Sequence, residues 1–471
     1  MPAISFEDGA HLLRRMGFGG TRDDVNNLPL KSRDKAVDAL LSFDIIDNSE
    51  MESRLSKTFN PKKFTPNDDL QLWWILRMVL TARPFEEKMT FFWHNHFATA
   101  LTKVEYPLMY IQNLMLRDSA LDRFDSLLLK VSQDPAMLVW LDGVTSGRDH
   151  PNENYARELQ ELFTMGTHDV VTGEPNYTEN DVKEIARAFT GWRYTLKQGK
   201  KPRAAFSIDD TQHDNGSKTI YGRQANFTGE DVISVVCARR ATARFLVNKL
   251  FQFFVYPLSS SAQDRATIDK FADVYFSANH SIKELARAIF TSDEFFSQRA
   301  RFALVKSPAE LIAGTIRTLA SSYNPGNLEE GDFGLFDQFR RQGLELLDPF
   351  DVSGWKLNLG WLNTSTALER MNFANSLMSN RDFSKGAIGA RVTNSALKPL
   401  VDPNPSTTVR NFLQLLGPLQ TGDDTVRILA DYLQTDDDGK RIPFVVNDDT
   451  INKQVRGLVY LILCLPEYQM N

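Results

Sequence analysis

The polar residues best suited to chemistry lie close together in the segment 152–163. If this segment is a helix of about 100° per residue, four polar residues share one side of it: Asn154, Arg157, Glu158 and Glu161. Glu158 also borders the apolar stripe of that helix, and a half-buried carboxylate needs a cation, a donor or a metal. We therefore take these four as candidate catalytic residues, in which Arg157 binds an anionic group and a carboxylate acts as a general base. A structural network of ion pairs is the alternative interpretation.

A second group of candidates is the pair His94 and His96, which stands near the end of an aromatic segment. On a regular helix these two side chains point roughly 200° apart, so they do not chelate one ion together. His96 shares a stripe with Phe85, Met89 and Phe92, and a buried imidazole must satisfy at least one ring nitrogen. A metal ligand, an acid–base group and a core histidine bonded to a backbone carbonyl all remain open.

The third group of candidates is the pair His213 and Asp214, in a polar stretch that continues with Asn215 and Gly216. Histidine beside aspartate suits metal ligation or proton relay, whereas a surface turn is the structural alternative. If a metal is present, the expected ligands are His94, His96, His213 and Asp214. Mixed nitrogen and oxygen ligands suit zinc, iron or manganese.

The composition excludes several classes of function. The net charge is −6 and no long basic run is present, so a nucleic-acid surface is not indicated. The two cysteines, Cys237 and Cys464, are far apart, which excludes a zinc site built from cysteines. Neither a phosphate-binding glycine loop nor a serine-esterase elbow occurs. No stretch is long and apolar enough to span a membrane, and no signal peptide is recognisable. The default expectation is a cytoplasmic protein, or an exported one if a signal has been removed.

The sequence contains many signals for the starts and ends of helices, since prolines follow capping residues and glycines stand where helices would end. We predict a mainly α-helical, large multi-helical globular fold with a small β-hairpin near residues 192–222. Alternating patterns also suggest short strands at 203–208 and 442–446. The predicted organisation is a main helical domain over 1–378, a loop or connection over 379–408, and a C-terminal helical unit over 409–471.

Several motifs together resemble one bacterial family, catalogued as domain of unknown function eighteen hundred. The motifs lie at 12–19, 88–97, 152–162, 177–182, 190–192, 213–222 and 370–375. The resemblance runs from about residue 9 to the C-terminal end of the sequence. It implies a bacterial protein, often exported, whose gene frequently lies beside that of a sulfatase-like partner protein. It implies no secure activity.

Two hypotheses follow from the residues. In the first, the chain is a metal-dependent enzyme, a hydrolase or an oxidoreductase, with a His/carboxylate site. In the second, it is a non-enzymatic scaffold or binding partner whose polar cluster is structural. Under both, the helices of 84–97 and 151–165 should pack together, with His96 bonded to Glu158 or Glu161 directly or through an ion or water. Glu158→Ala is then expected to destabilise the protein more than Glu174→Ala.

Overall fold

The fold is mainly α-helical, as predicted, and its strands are confined to three small two-stranded sheets in the described part of the chain. The computed structural model describes residues 3–59, 68–197, 203–319, 322–323, 334–379, 390–436 and 438–471. No helix in these ranges is long and apolar enough to cross a lipid bilayer.

The helices of the first half of the chain are α1 Phe6–Met16, α2 Arg22–Asn26, α3 Arg33–Leu41, α4 Ser49–Thr58, α5 Asp68–Leu80, α6 Pro84–His96, α7 Tyr106–Asp118, α8 Phe124–Gln133, α9 Pro135–Trp140, α10 Glu153–Glu158, α11 Glu179–Ala188 and α12 Gly229–Cys237. Those of the second half are α13 Arg240–Phe254, α14 Ala262–Ser277, α15 Ile282–Phe290, α16 Pro308–Thr318, α17 Gly334–Arg341, α18 Thr364–Met378, α19 Asn394–Leu397, α20 Pro405–Leu415, α21 Asp423–Leu433, α22 Asp448–Thr450 and α23 Arg456–Cys464. The strands are β1 Trp192–Lys197, β2 Arg203–Ile208, β3 Lys218–Ile220, β4 Arg223–Ala225, β5 Ser322–Tyr323 and β6 Ala390–Arg391.

The helix starts follow from local chemistry. Proline occupies the first turn of α6, α9 and α16, where its missing N–H costs no helical hydrogen bond. Thr178 and Asp181 form a reciprocal capping box at the start of α11, and Thr228 and Asp231 form another at α12. These caps satisfy backbone donors that the first turn leaves unpaired.

The predicted hairpin is confirmed, since β1 pairs antiparallel with β2 from Trp192↔Ile208 to Lys197↔Arg203. A second small hairpin, β3 with β4, also lies close to the predicted region. The strand predicted at 442–446 is wrong, because those residues form no ladder and only Arg441 bridges to Thr435. An alternating pattern forms a strand only when another strand is available to accept its hydrogen bonds.

Helix α6 lies in the core, and all of its residues except Pro84 and Asn95 are buried. It nevertheless carries charged groups, of which Glu87 is fully buried. The Glu87 carboxylate accepts hydrogen bonds from Arg77 Nε at 2.8 Å, from Arg117 Nε and Nη2 at 2.8 and 2.9 Å, and from Trp74 Nε1 at 3.1 Å. Because these donors belong to α5 and α7, the network fixes three helices together.

The next residue of α6, Lys88, connects the helix to two other parts of the chain. Its Nζ donates to Glu310 Oε1 of α16 at 2.5 Å and to the Gly17 carbonyl oxygen at 3.1 Å. Lys88 is fully buried, so these bonds replace the water that a buried ammonium loses. The turn after α1 and the start of α16 are thereby positioned on α6.

The C-terminal helices α20, α21 and α23 contact one another, and α23 packs on α18. Arg456 of α23 donates to the carbonyl oxygens of Met378 at 3.3 Å and Val392 at 2.7 Å. The expected connection at 379–408 contains α19 and the start of α20, and its residues 380–389 lie outside the described ranges. The division into domains remains a prediction.

The Glu87 network generates a stability prediction. Glu87→Gln leaves two buried guanidinium groups without their carboxylate and is expected to cost about 3–5 kcal/mol in the free energy of unfolding. Glu52→Gln is the control, since Glu52 also pairs with Arg77 but its side chain is 52% exposed; this change is expected to cost less than about 1 kcal/mol. Urea unfolding at neutral pH measures both.

The same network sets a pH dependence. Burial acts to raise the pKa of Glu87. The positive charges of Arg117 and Arg77 outweigh burial and lower the pKa from 4.5 to about 2. Its stabilisation is therefore complete above pH 4.5 and is lost as the pH falls towards 2. The difference in stability between wild type and Glu87→Gln should shrink across that range. Two results would contradict the network. One is a difference in stability between wild type and Glu87→Gln that does not change with pH, and the other is an equal loss of stability in Glu87→Gln and Glu52→Gln.

Candidate functional site

The helix that carries the candidate catalytic residues is regular only in its first half. After α10 the chain continues as a π-helix, Leu159–Thr164, where the sequence predicted a single α-helix. Thr164 Oγ1 donates to the Leu159 carbonyl oxygen at 2.6 Å, five residues earlier, and Gln160 Nε2 donates to the Ala156 carbonyl oxygen at 2.9 Å. π-Helical turns are rare and frequent at functional sites.

His96 joins α6 to this π-helix. Its Nε2 lies 3.0 Å from the carbonyl oxygen of Phe163, so the ring donates there from that nitrogen. Burial, followed by the nearby charge of Lys249, lowers the pKa of His96 to about 3, and the imidazole is neutral at pH 7. The C-terminal ends of the two helices are therefore in contact, through His96, Phe97 and Phe163. The expected bond from His96 to Glu158 or Glu161 is absent from the described residues, because the backbone carbonyl takes its place.

His94 is fully buried on another side of α6. Its ring lies edge-on to Trp74, with centroids 5.4 Å apart, and 5.5 Å from the ring of Trp355. Within the described residues neither ring nitrogen has a hydrogen-bond partner. Burial lowers the pKa of His94 to about 3. Among the described residues, His94 belongs to no group of three or more His, Cys, Asp or Glu side chains that could hold a metal ion.

Arg157 is the centre of an ion-pair cluster at the surface. It donates to both carboxylate oxygens of Glu179, at 3.0 and 2.8 Å, and lies 3.5 Å from Glu153 and 3.6 Å from Glu161. The Tyr177 hydroxyl donates to Glu161. Arg157 and Glu161 are thus bonded to α11 and to the segment before it, rather than directed at an open cavity.

Glu158 differs from its neighbours, because it forms no hydrogen bond or ion pair among the described residues. The carboxylate is half-buried, and burial together with the negative charges of Glu161 and Asp351 raises its pKa, against the opposing effect of Arg157. Asn154 is exposed, and its Nδ2 lies 3.4 Å from Asp142 Oδ2. A carboxyl group with a raised pKa is the usual form of a general acid or base.

His213 and Asp214 lie in a turn that is bonded to the end of α11. His213 Nδ1 lies 2.8 Å from the Thr190 carbonyl oxygen, and Asp214 Oδ2 accepts from Arg187 Nε at 2.7 Å. That hydrogen bond lowers the pKa of Asp214. Gly191 has φ +77°, and a Cβ there would lie 2.6 Å from the Asp209 carbonyl oxygen, so only glycine fits this turn.

The structure therefore brings the carboxylates of Glu158 and Glu161 near each other, but it separates the proposed metal ligands. Across the described ranges, no group of three or more His, Cys, Asp or Glu side chains is arranged to hold a metal ion. Two of the four proposed ligands are in the aromatic core, and the other two bond to the end of α11.

The loop that contains Phe350 and Asp351 was not predicted from the sequence as part of a site. Asp348 Oδ1 accepts from the Thr102 backbone N–H at 3.0 Å, and Asn95 Oδ1 accepts from the Trp355 N–H at 2.6 Å. These bonds hold both ends of the loop, while the Phe350 side chain is 98% exposed. A phenylalanine between proline and aspartate in the sequence is a weak signal of such an exposed position.

Together, the fold and the polar cluster define a mainly helical protein whose central aromatic helix contains buried charges. A family model described as a protein of unknown function (DUF1800) matches residues 11–470, and the chain belongs to that family. Comparisons with curated proteins and with solved structures find no match.

The two histidines of α6 give a matched pair of variants. His94→Phe removes two unpartnered buried nitrogens and is expected to leave stability at pH 7 unchanged or higher, whereas His96→Phe leaves the Phe163 carbonyl unpaired and should cost about 1–3 kcal/mol. Each histidine is neutral when folded and takes up a proton when unfolded below pH 6.5, so wild-type stability falls as the pH drops from 6.5 towards 3. His94→Phe should reduce that fall. Chemical unfolding at several pH values measures the free energy of unfolding of each variant. An equal loss of stability in His94→Phe and His96→Phe would contradict the different environments described for the two histidines.

The structure also changes the expectation for Glu158. Because it has no donor to lose and lies near two other carboxylates, Glu158→Ala is expected to alter the free energy of unfolding by less than about 0.5 kcal/mol. The exposed control Glu174→Ala should behave alike. A loss of 1 kcal/mol or more for Glu158→Ala alone (roughly the value of one hydrogen bond) would show a partner for this carboxylate.

Proposed function

We propose that this protein is a non-enzymatic binding partner, in which the polar motifs stabilise a rigid recognition surface. The observation that carries the proposal is the bidentate bond of Arg157 to Glu179. An arginine that binds an anionic substrate keeps its donors free for that substrate. Both terminal nitrogens of Arg157 instead donate hydrogen bonds to Glu179 of α11. His96, His213 and Asp214 are likewise bonded to protein groups.

The recognition surface, here called the Phe350 face, consists of Phe350, Asp351 and Glu158. Its aromatic ring is fully presented to solvent by a loop that is bonded at both ends. Aromatic side chains are common anchors of protein interfaces, and a loop already bonded at both ends loses little conformational entropy when it binds. Asp351 follows Phe350 in the sequence, and its charge acts on Glu158. These two carboxylates favour a partner with basic groups around an apolar pocket.

The sulfatase-like protein implied by the family resemblance is the partner to test first. Phe350→Ser should weaken its binding at least tenfold, because an interface anchor typically contributes 2 kcal/mol or more. Val445→Ser is the control, since Val445 is also exposed, at 55%, but lies in a different segment. Isothermal titration calorimetry with the purified partner measures both. Equal affinities for the two variants would contradict the Phe350 face.

The second candidate is an acid–base enzyme, and Glu158 is the specific observation that favours it. A half-buried carboxyl without a partner, with a pKa raised by burial and by Glu161 and Asp351, resembles the pairs of carboxyls that divide acid and base roles in hydrolases. If such an enzyme used zinc, iron or manganese, the metal would bind with fewer than three His, Cys, Asp or Glu side chains of the described residues.

Elemental analysis of the protein, purified without a histidine tag, separates the two candidates. The binding-partner proposal expects well under one equivalent of zinc, iron or manganese, and a weaker partner affinity in Glu158→Gln than in the conservative control Glu174→Gln, because only Glu158 belongs to the Phe350 face. One equivalent of a single metal that disappears in His96→Phe would support the enzyme instead.

A further inference from the structure

Five basic side chains from distant parts of the sequence are buried around one carboxylate, that of Glu310. They are Arg14, Arg15, Lys88, Lys306 and Arg370. Only Lys88 pairs with Glu310. Three others donate to backbone oxygens: Arg15 to Ala300 at 2.6 Å and to Asn471 at 2.8 Å, Lys306 to Tyr468 at 2.7 Å and Arg370 to Lys306 at 2.8 Å. Among the side chains of this group, five basic groups therefore face one carboxylate, and such an excess of buried positive charge is costly unless an anion accompanies it.

Arg14 is the least satisfied member of this group. The residue is 8% exposed, and its Nε and Nη1 are buried with no hydrogen-bond partner among the described residues. The guanidinium carbon lies 5.1 Å from the centre of the Phe302 ring. A Cβ at position 417 would lie 3.2 Å from Nη1, and Gly417 has φ +129°. Because Gly417 has no side chain, it does not cover Nη1 of Arg14.

Two small adjoining cavities meet at Arg14. The inner one is lined by Arg14, Lys306, Glu310 and Tyr468, and the outer one extends to the exposed residue Arg22. Both also include Gly19, Thr318 and Leu416. Each has a volume of about 20 Å³, and roughly 10–15 Å³ accommodates one water molecule. The space therefore suits a single monatomic ion rather than a larger oxyanion.

We propose that the inner cavity is a binding site for a chloride-sized inorganic anion, held by the free nitrogens of Arg14 with Lys306 opposite, and that the outer cavity is its route from solvent. The anion would supply the negative charge that the five basic groups lack. Burial and the neighbouring Arg15 lower the pKa of Arg14 to about 9, and burial lowers that of Lys306 far below its usual value. A bound anion favours the charged form of both groups. This site is independent of the Phe350 face.

Chemical unfolding in chloride, in bromide and in gluconate at the same ionic strength tests the proposal. Gluconate is too large for the cavity and serves as the reference anion. At a concentration of one hundred times its Kd, chloride should raise the folding equilibrium constant roughly 100-fold over gluconate. Arg14→Gln should abolish this response, whereas Arg427→Gln, whose side chain is 66% exposed, should keep it. Equal stability of the wild type in chloride and gluconate would overturn the site.

A second measurement does not depend on whether Arg14→Gln folds. Wild-type crystals soaked in bromide should show an anomalous scattering peak within hydrogen-bond distance of Arg14 Nε or Nη1. A peak there at bromide concentrations that also stabilise the protein supports the proposal. Bromide found only on the surface, with none in the inner cavity, overturns it.

Discussion

The structure depends on one constraint, which is that α6 is buried along almost its whole length and still carries charged and hydrogen-bonding side chains. A buried polar group of this kind is costly unless another part of the protein satisfies it, and among the described residues the His94 ring is the exception that stays unpartnered. Glu87 takes donors from α5 and α7, Lys88 reaches α16 and the turn after α1, and His96 reaches the π-helix. Asn95 holds the loop that presents Phe350. The polar residues of one helix thus determine the position of most of its neighbours.

This constraint gives the polar motifs a physical role that does not require catalysis. The motif at 12–19 supplies Arg14 and Arg15, the motif at 88–97 supplies Lys88, and the motif at 370–375 supplies Arg370. Arg15, Lys88 and Arg370 meet near Glu310, and Arg14 lines the same cavity, although hundreds of residues separate some of them. Removing one partner of a buried ion pair strongly destabilises a protein, because the other charge is left buried and unpaired. The same chemistry that suggests an active site in the sequence therefore also serves to assemble distant segments of a large helical fold.

The sequence was sufficient to predict the parts of the fold that local chemistry determines. The capping residues and prolines that predicted a helical fold stand at the starts of α6, α11 and α16. The contact of α6 with the helix at 153–164 was also expected, and His96 makes it at the end of α6. The π-helix was not predictable from periodicity, because its wider turn depends on bonds such as that of Thr164. The partner of His96 was also beyond sequence reasoning, since a backbone carbonyl leaves no sequence signal. Asp351 approaches Glu158 only through tertiary packing.

Native-state hydrogen exchange of the α6 amides tests the central role of this helix most directly. Elements that hold a fold together exchange only when the whole molecule unfolds, whereas peripheral elements open at lower free energies. We predict that the amides from Met89 to His96 exchange with the global free energy of unfolding, and that amides of the amphipathic surface helix α21, which buries only one face, exchange at a lower one. Exchange of α6 by a local opening, at a free energy below that of α21, would contradict the account.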